Sequence, residues 1–382
     1  MNKLNSTYQK AVRIQIFVCG LLFSIFSFVY IFVFQRDVLE ALHFSLAHGK
    51  THFSPIGSAL VMTLTLILLT WGVNLVASFK GKYRSLVYMP AFFVLMAISD
   101  IGRDVYTHDG NSMWLWVLPT LIGGFIGIAL WCRKAFGVST DTEISSNTLL
   151  GTNIFFLLAG CIATLNIGNT DATFHHELEI ERNLRDKNYI EAMKVGKHSL
   201  DASQTLTALR ALAVSNAGLM GEKLFTYPQY FGAKGLFFPE DSLQTLRYTN
   251  DSVYTHLGAR PYNGGNKLIY LSSLCYDERG KFTALDYYLS ALLLDKKVGS
   301  FAEVIEDFYE PGDTLPRHYQ EAIMIYKRSN PKYLYVPTHS TIIQKYASYE
   351  HRKTEFQSKN QEKNQMRREY GDTYWWYHDY QE

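Results

Sequence analysis

Cysteine is scarce in this chain. Only Cys19, Cys132, Cys161 and Cys275 occur, and the first three lie in or at apolar runs. Cys275 is therefore alone in the second half, which no internal disulfide can staple and which must be held by an apolar core. An excess of one charge is missing too: 37 Lys+Arg stand against 35 Asp+Glu, a net +2, so composition offers no ground for a nucleic-acid partner. The chain carries no P-loop, no GxSxG elbow, no HExxH and no CxxC pair, and His175-His176-Glu177 has the wrong order and spacing for a zinc protease. A soluble-type enzyme signature is absent, and nothing calls for a cofactor. Beyond residue 170 there is also no apolar run long enough to span a membrane.

The first half has such runs. Residues 14–34 contain no charged side chain and are long enough for a helix crossing a hydrocarbon core of roughly 30 Å. A secretory signal peptide would be shorter and would end in small residues, whereas this run ends in Phe32, Val33 and Phe34. Further spans are expected at 55–78, 85–106, 113–132 and 149–167, five in all. Lys3, Lys10, Arg13, Lys80, Lys82, Arg84, Arg133 and Lys134 fall on one side of them, against Arg36, Lys50 and Arg103 on the other. The positive-inside rule then places the N-terminus in the cytoplasm. An odd number of spans puts everything after residue 167 outside, in the periplasm of a Gram-negative cell.

Gly123 and Gly127 follow Pro119 at a GxxxG spacing, expected to pack among the five helices in preference to a dimer interface. Pro90 is placed in the first turns of its span, where a missing donor matters least. The third span is the least apolar, closing with Asp100, Arg103 and Asp104. On one continuous helix these share a face at i, i+3 and i, i+4, as a structural ion pair or as a functional site. All 12 histidines fall on the outer side of this topology. His43, His48 and His52 sit in the first outer loop near Asp37 and Glu40, and His108 and Asp109 follow in the second. Asp37, Glu40, Asp100, Arg103 and Asp104 are thus candidate catalytic residues for a lipid-linked substrate, and His43, His48 and His52 candidate zinc ligands, although their spacing is irregular.

The second half reads as helices. Leu285, Tyr288, Leu289 and Leu292 follow i, i+3, i+4, i+7, and Leu206, Leu209 and Ala213 keep a related stripe. Thr314 is placed to cap a helix that Pro316 begins. Asp186-Lys187-Asn188-Tyr189-Ile190-Glu191-Ala192 resembles the turn and second-helix start of a tetratricopeptide unit; His318-Tyr319-Gln320-Glu321-Ala322 repeats it, and Gly280-Lys281-Phe282-Thr283-Ala284 is a degenerate version. Their unequal spacing excludes a strict period. The expected fold class is all-α: a polytopic membrane domain at 1–169, an irregular tetratricopeptide-like helical-repeat domain at 170–337, and a basic helix with an aromatic tail at 338–382. The polar stretch 338–368 reads as one helix, a solvated surface or a contact for anionic headgroups. Trp375, Trp376 and Tyr377 in the tail have three readings: a cap on the helical array, an interfacial belt, or a stacking platform for a sugar.

Gln35-Arg36-Asp37-Val38-Leu39, Ala47-His48-Gly49-Lys50-Thr51-His52, Ala213-Val214-Ser215-Asn216-Ala217-Gly218-Leu219-Met220, Leu315-Pro316-Arg317-His318-Tyr319-Gln320-Glu321-Ala322 and Gly371-Asp372-Thr373-Tyr374-Trp375-Trp376-Tyr377 resemble an uncharacterised family of Gram-negative bacterial inner-membrane proteins. The resemblance runs along most of the chain and implies membrane spans followed by an exported helical domain. It transfers no catalytic residue. The expectation is a non-enzymatic inner-membrane protein, surrounded by the lipid bilayer, whose periplasmic domain binds a protein partner or scaffolds an envelope complex. The alternative is an envelope enzyme or transporter subunit acting on a lipid-linked or glycan ligand at its outer loops.

Overall fold

The computed structural model describes residues 2–106, 113–136, 146–240, 245–262 and 265–381. Among them the chain is all-helical, with no strand, and divides into two compact units, Met1–His175 and His176–Glu382.

The first unit contains α1 (Asn2–Val29), which runs on into a π-turn (Tyr30–Phe34), α2 (Arg36–Ala47), α3 (Pro55–Ala77), a 3-10 stretch (Gly81–Tyr88), α4 (Met89–Ser99), a 3-10 turn (Arg103–Tyr106), α5 (Trp114–Phe136) and α6 (Ser146–Ile167). Four segments are long and apolar enough to cross a membrane: Gln9–Phe34, Pro55–Ala77, Trp114–Trp131 and Asn147–Ile167. Their outward surface is apolar. Phe17, Leu68 and Trp116 are 69%, 65% and 82% exposed, the opposite of the polar outer face that water selects on a surface helix. Inside, Phe23, Ala91, Phe92, Leu95 and Leu157 form the core. α3 starts where the sequence supplies a cap and a fixed φ: the Ser54 hydroxyl accepts from the Gly57 amide, with Pro55 in the first turn.

The segment expected as a third span is shorter than the other four. Pro90 sits in the first turn of α4, as anticipated, but the residues before it are 3-10. The buried Asn153 amide group fixes that stretch, its Oδ1 accepting from the Ser85 amide at 2.7 Å and its Nδ2 donating to the Gly81 carbonyl at 3.1 Å. At the other end α4 stops at Ser99, because Asp100 leaves helical geometry (φ -83°, ψ 58°). The apolar helix is therefore Tyr83–Ser99, and Asp100, Arg103 and Asp104 do not share one helical face. The expected GxxxG packing is also corrected. A Cβ on Gly123, Gly124 or Gly127 would meet nothing within 4 Å, so this face of α5 touches no other helix among the described residues. Small residues serve close approach elsewhere: a Cβ on Gly168 would come within 2.8 Å of Ser99 Oγ and would strike the Tyr30 hydroxyl.

The second unit takes most of α7 (Ala172–Arg185), then α8 (Tyr189–Lys194), α9 (Gln204–Asn216), α10 (Met220–Lys223), 3-10 turns at Leu224–Thr226 and Gly232–Leu236, α11 (Asn250–Leu257), α12 (Lys267–Tyr276), α13 (Phe282–Leu294), α14 (Val298–Phe308), α15 (Arg317–Ser329), α16 (Ser340–Lys353), α17 (Lys359–Tyr370) and α18 (Tyr374–Tyr380). From α12 to α16 each helix packs on its successor. α9 and α13 form the centre: Leu206, Leu209, Ala213, Leu289 and Leu293 are fully buried. Two local expectations are corrected. Pro316, not Thr314, is the N-cap residue of α15, and it has no hydroxyl to cap with. The 338–368 stretch is two helices, not one, and their hairpin buries Tyr349, Met366 and Tyr370 against Trp375 and Trp376; a single straight helix would have left those apolar side chains in water.

Candidate functional site

The residues singled out in the sequence at 37–52 and 100–104 are partly brought together. Asp37, Glu40 and His43 ride on α2, which packs against the Arg103–Tyr106 turn, the Ser45 hydroxyl donating to the Val105 carbonyl at 3.3 Å. Glu40 is buried. Asp100 Oδ2 accepts from Trp114 Nε1 at 2.8 Å, and Arg103 pairs at 2.6 Å with Asp171 rather than with Asp100. Asp104 lies in the 3-10 turn. His43 Nε2 meets the Thr51 hydroxyl at 3.1 Å, and His48 closes α2 in left-handed geometry (φ 48°). His52 lies beyond it. No group of three His, Cys, Asp or Glu able to hold a metal occurs among the described residues, so the His43, His48 and His52 set is not assembled as a metal site. His108 and Asp109 lie outside the described residues.

Trp375, Trp376 and Tyr377 are all buried. Thr373 starts α18 by accepting from the Trp376 amide, and the polar edges of the three rings are taken by backbone carbonyls. Trp375 Nε1 donates to Glu321 O (2.8 Å), Trp376 Nε1 to Lys363 O (3.4 Å) and the Tyr377 hydroxyl to Leu294 O (2.7 Å). The tail is thus tied into α13, α15 and α17 by both its apolar area and its polar atoms. A carboxylate organises the junction: Glu321, 1% exposed, accepts from Arg317 Nε (2.8 Å), from the Tyr374 amide (2.7 Å) and contacts His318 Nδ1 (3.0 Å).

Beside that tail lies the arrangement sequence reasoning missed, a cleft of about 460 Å³. One wall is the 197–200 turn after α8, with Lys197 and His198; the other is the end of α17, with Arg367 and Arg368; aromatic rings of Phe225, Tyr227, Trp376 and Tyr377 line it, and no carboxylate does. Local geometry makes the first wall. Gly196 takes φ 56°, a conformation open to glycine, and a Cβ there would come within 2.6 Å of the His176 ring. The Tyr230 hydroxyl joins the walls, donating to Leu200 O at 2.7 Å and accepting from Arg367 Nη2 at 3.3 Å. Arg367 also lies over the Trp376 ring, 5.1 Å from its centroid. Behind Tyr227 stands Arg210, 5.3 Å from that ring and 2% exposed, donating to Gly196 O at 2.9 Å while its Nε and Nη1 have no hydrogen-bond partner. Burial pulls its guanidinium down to about 10, a cost the fold bears without a carboxylate beside it. Lys197, Arg367 and Arg368 likewise have no acidic partner among the described residues. The only sequence signals were two basic dipeptides, Lys197-His198 and Arg367-Arg368, too far apart in the chain to be connected by pattern.

Over residues 4–260 and 265–381 the chain matches a family described as Family of unknown function (DUF6057). No curated protein and no solved structure matches it.

Proposed function

We propose, from the premise that this chain belongs to that family of unknown function, that it is a non-catalytic inner-membrane protein whose periplasmic helical unit captures an anionic partner of the cell envelope. The four long apolar segments, together with Tyr83–Ser99, are the membrane spans. Its 3-10 part, Tyr83 to Tyr88, at about 2.0 Å per residue and its α-helical part, Met89–Ser99, at about 1.5 Å reach about 28 Å together, close to a full core, and Phe92 and Leu95 on this helix are fully buried among the others, which supports a span sheltered from lipid. Five crossings and the basic residues at positions 3–13, 80–84 and 133–134 give a cytoplasmic N-terminus. The second unit is then an exported, tetratricopeptide-like helical array, a shape suited to scaffolding.

The observation that carries the binding reading is the cleft: three cations without acidic partners and aromatic walls in one concavity, which suits an anion and has no carboxylate in its lining. A photo-crosslinking residue at Leu200 in the full-length protein, irradiated in native membranes, should yield a discrete adduct that the Arg367→Glu/Arg368→Glu double variant loses. A smear of unrelated adducts, or one indifferent to the charge reversal, refutes it.

A further inference from the structure

We infer that the cleft is a phosphoryl site, taking a phosphate ester carried on a small organic body; this names the ligand class for the binding reading above and rests on it. Charge supplies the first argument. Lys197 comes from one wall, Arg367 and Arg368 from the other, and the buried Arg210 adds a fourth positive charge behind Tyr227. One carboxylate carries one charge and would leave most of these cations uncompensated. A phosphate monoester concentrates about −1.5 to −2 charges and three acceptor oxygens on one centre. Arginine pairs with such a group through two parallel N–H donors, and lysine adds a point charge.

Size and wall chemistry are the second argument. About 460 Å³ falls within the ~300–1,000 Å³ of small-molecule pockets. The Tyr230 hydroxyl, bonded to both Leu200 O and Arg367 Nη2, ties the two walls together. Phe225, Tyr227, Trp376 and Tyr377, all buried, make part of the lining apolar, beside which a small organic body fits. A run of acidic residues on a peptide would spread its charges along the chain, whereas Lys197, Arg367 and Arg368 gather on one concavity.

The phosphoryl group is either free or fixed in a headgroup, and the test separates the two. Full-length protein in nanodiscs of phosphatidylcholine alone is titrated with glucose 1-phosphate, inorganic phosphate, glutarate and a tetraglutamate peptide, and compared with nanodiscs containing phosphatidylglycerol. Glucose 1-phosphate should bind and be displaced by inorganic phosphate, and Lys197→Gln and Arg368→Gln, both at exposed positions, should each weaken it about tenfold while leaving thermal stability unchanged. Soluble-ester binding in phosphatidylcholine discs assigns a free phosphate ester; protection of the cleft from cross-linking only in phosphatidylglycerol discs, reversed by the same substitutions, assigns a headgroup. Both outcomes support a phosphoryl site. Binding of tetraglutamate without the esters overturns it and leaves the binding reading standing. If no probe binds and the Arg367→Glu/Arg368→Glu variant keeps its cross-linked adduct, both readings fall.

Discussion

Replacing Glu321 with alanine is the sharpest test of how the C-terminal tail is held. This carboxylate is 1% exposed and meets three groups from α15 and α18: Arg317 Nε, His318 Nδ1 and the Tyr374 amide. Removing one partner of a buried ion pair typically costs about 3–5 kcal/mol. The lower end applies here, because Arg317 Nη1 retains Asp372 at 3.0 Å, so the guanidinium is not left bare; His318 Nδ1 and the Tyr374 amide do lose their acceptor. Since about 1 kcal/mol moves the melting temperature of a domain this size by roughly 2–4 °C, a loss of about 3 kcal/mol predicts a fall of roughly 6–12 °C. Thermal unfolding of the full-length protein in detergent gives the shift, and hydrogen exchange gives the site: the amides of Tyr374 to Tyr377 should exchange faster, along with those of α15. A fall below about 2 °C, or unchanged protection of those amides, would refute the idea that Glu321 ties the tail to the array.

Stability should also depend on pH through Glu181. This side chain is 1% exposed, and burial lifts its carboxyl to about 7, against the opposing pull of Arg247. Because the folded state holds this proton more tightly than the unfolded one, its contribution is present below about 4.5 and is lost as pH rises to about 7. Melting at pH 5 should therefore exceed melting at pH 7.5, and Glu181→Gln should shrink that difference; an unchanged difference counts against the assignment. In the first unit, Gly168→Ala should lower the folded yield in membranes, since its Cβ would crowd the Tyr30 hydroxyl and Ser99 Oγ, while Gly127→Ala, with open space around it, should behave as wild type by size-exclusion chromatography. Arg103→Ala should lower stability by about 1 kcal/mol, because its pair with Asp171 is about 40% exposed on both sides and its guanidinium lies 5.5 Å from the Phe174 ring; a loss of several kcal/mol in a melting curve would refute this. A reporter active only in the periplasm, fused to the C-terminus, should be active, and silence would show that Tyr83–Ser99 does not cross.

The long helices were legible because an apolar run of span length has few alternatives, and the span expected from 55 begins where the Ser54 hydroxyl caps α3. The helical stripes of α9 and α13 were legible for a related reason, since Leu206, Leu209, Leu289 and Leu292 repeat at helical spacing and all are buried. The failures came where side-chain partners lie far away in the chain. Arg103 looked bound to Asp100 three residues earlier, but Asp171 holds it. The 338–368 stretch carried continuous helical composition, and only burial of Tyr349, Met366 and Tyr370 around Trp375 required it to fold back.

By itself the sequence determined the class of the protein: no disulfide framework in the second half, apolar segments of span length confined to the first, and a helical second half. These follow from composition and period, which act over one or two turns of chain. The tertiary structure alone decided which charges meet. It sank the aromatic tail into the array and gathered Lys197, Arg367 and Arg368 around one cleft with Arg210 behind it. Local pattern does not encode such pairings, because the free energy of a buried or clustered charge depends on the groups the fold brings within a few ångströms of it, whatever their separation in the chain.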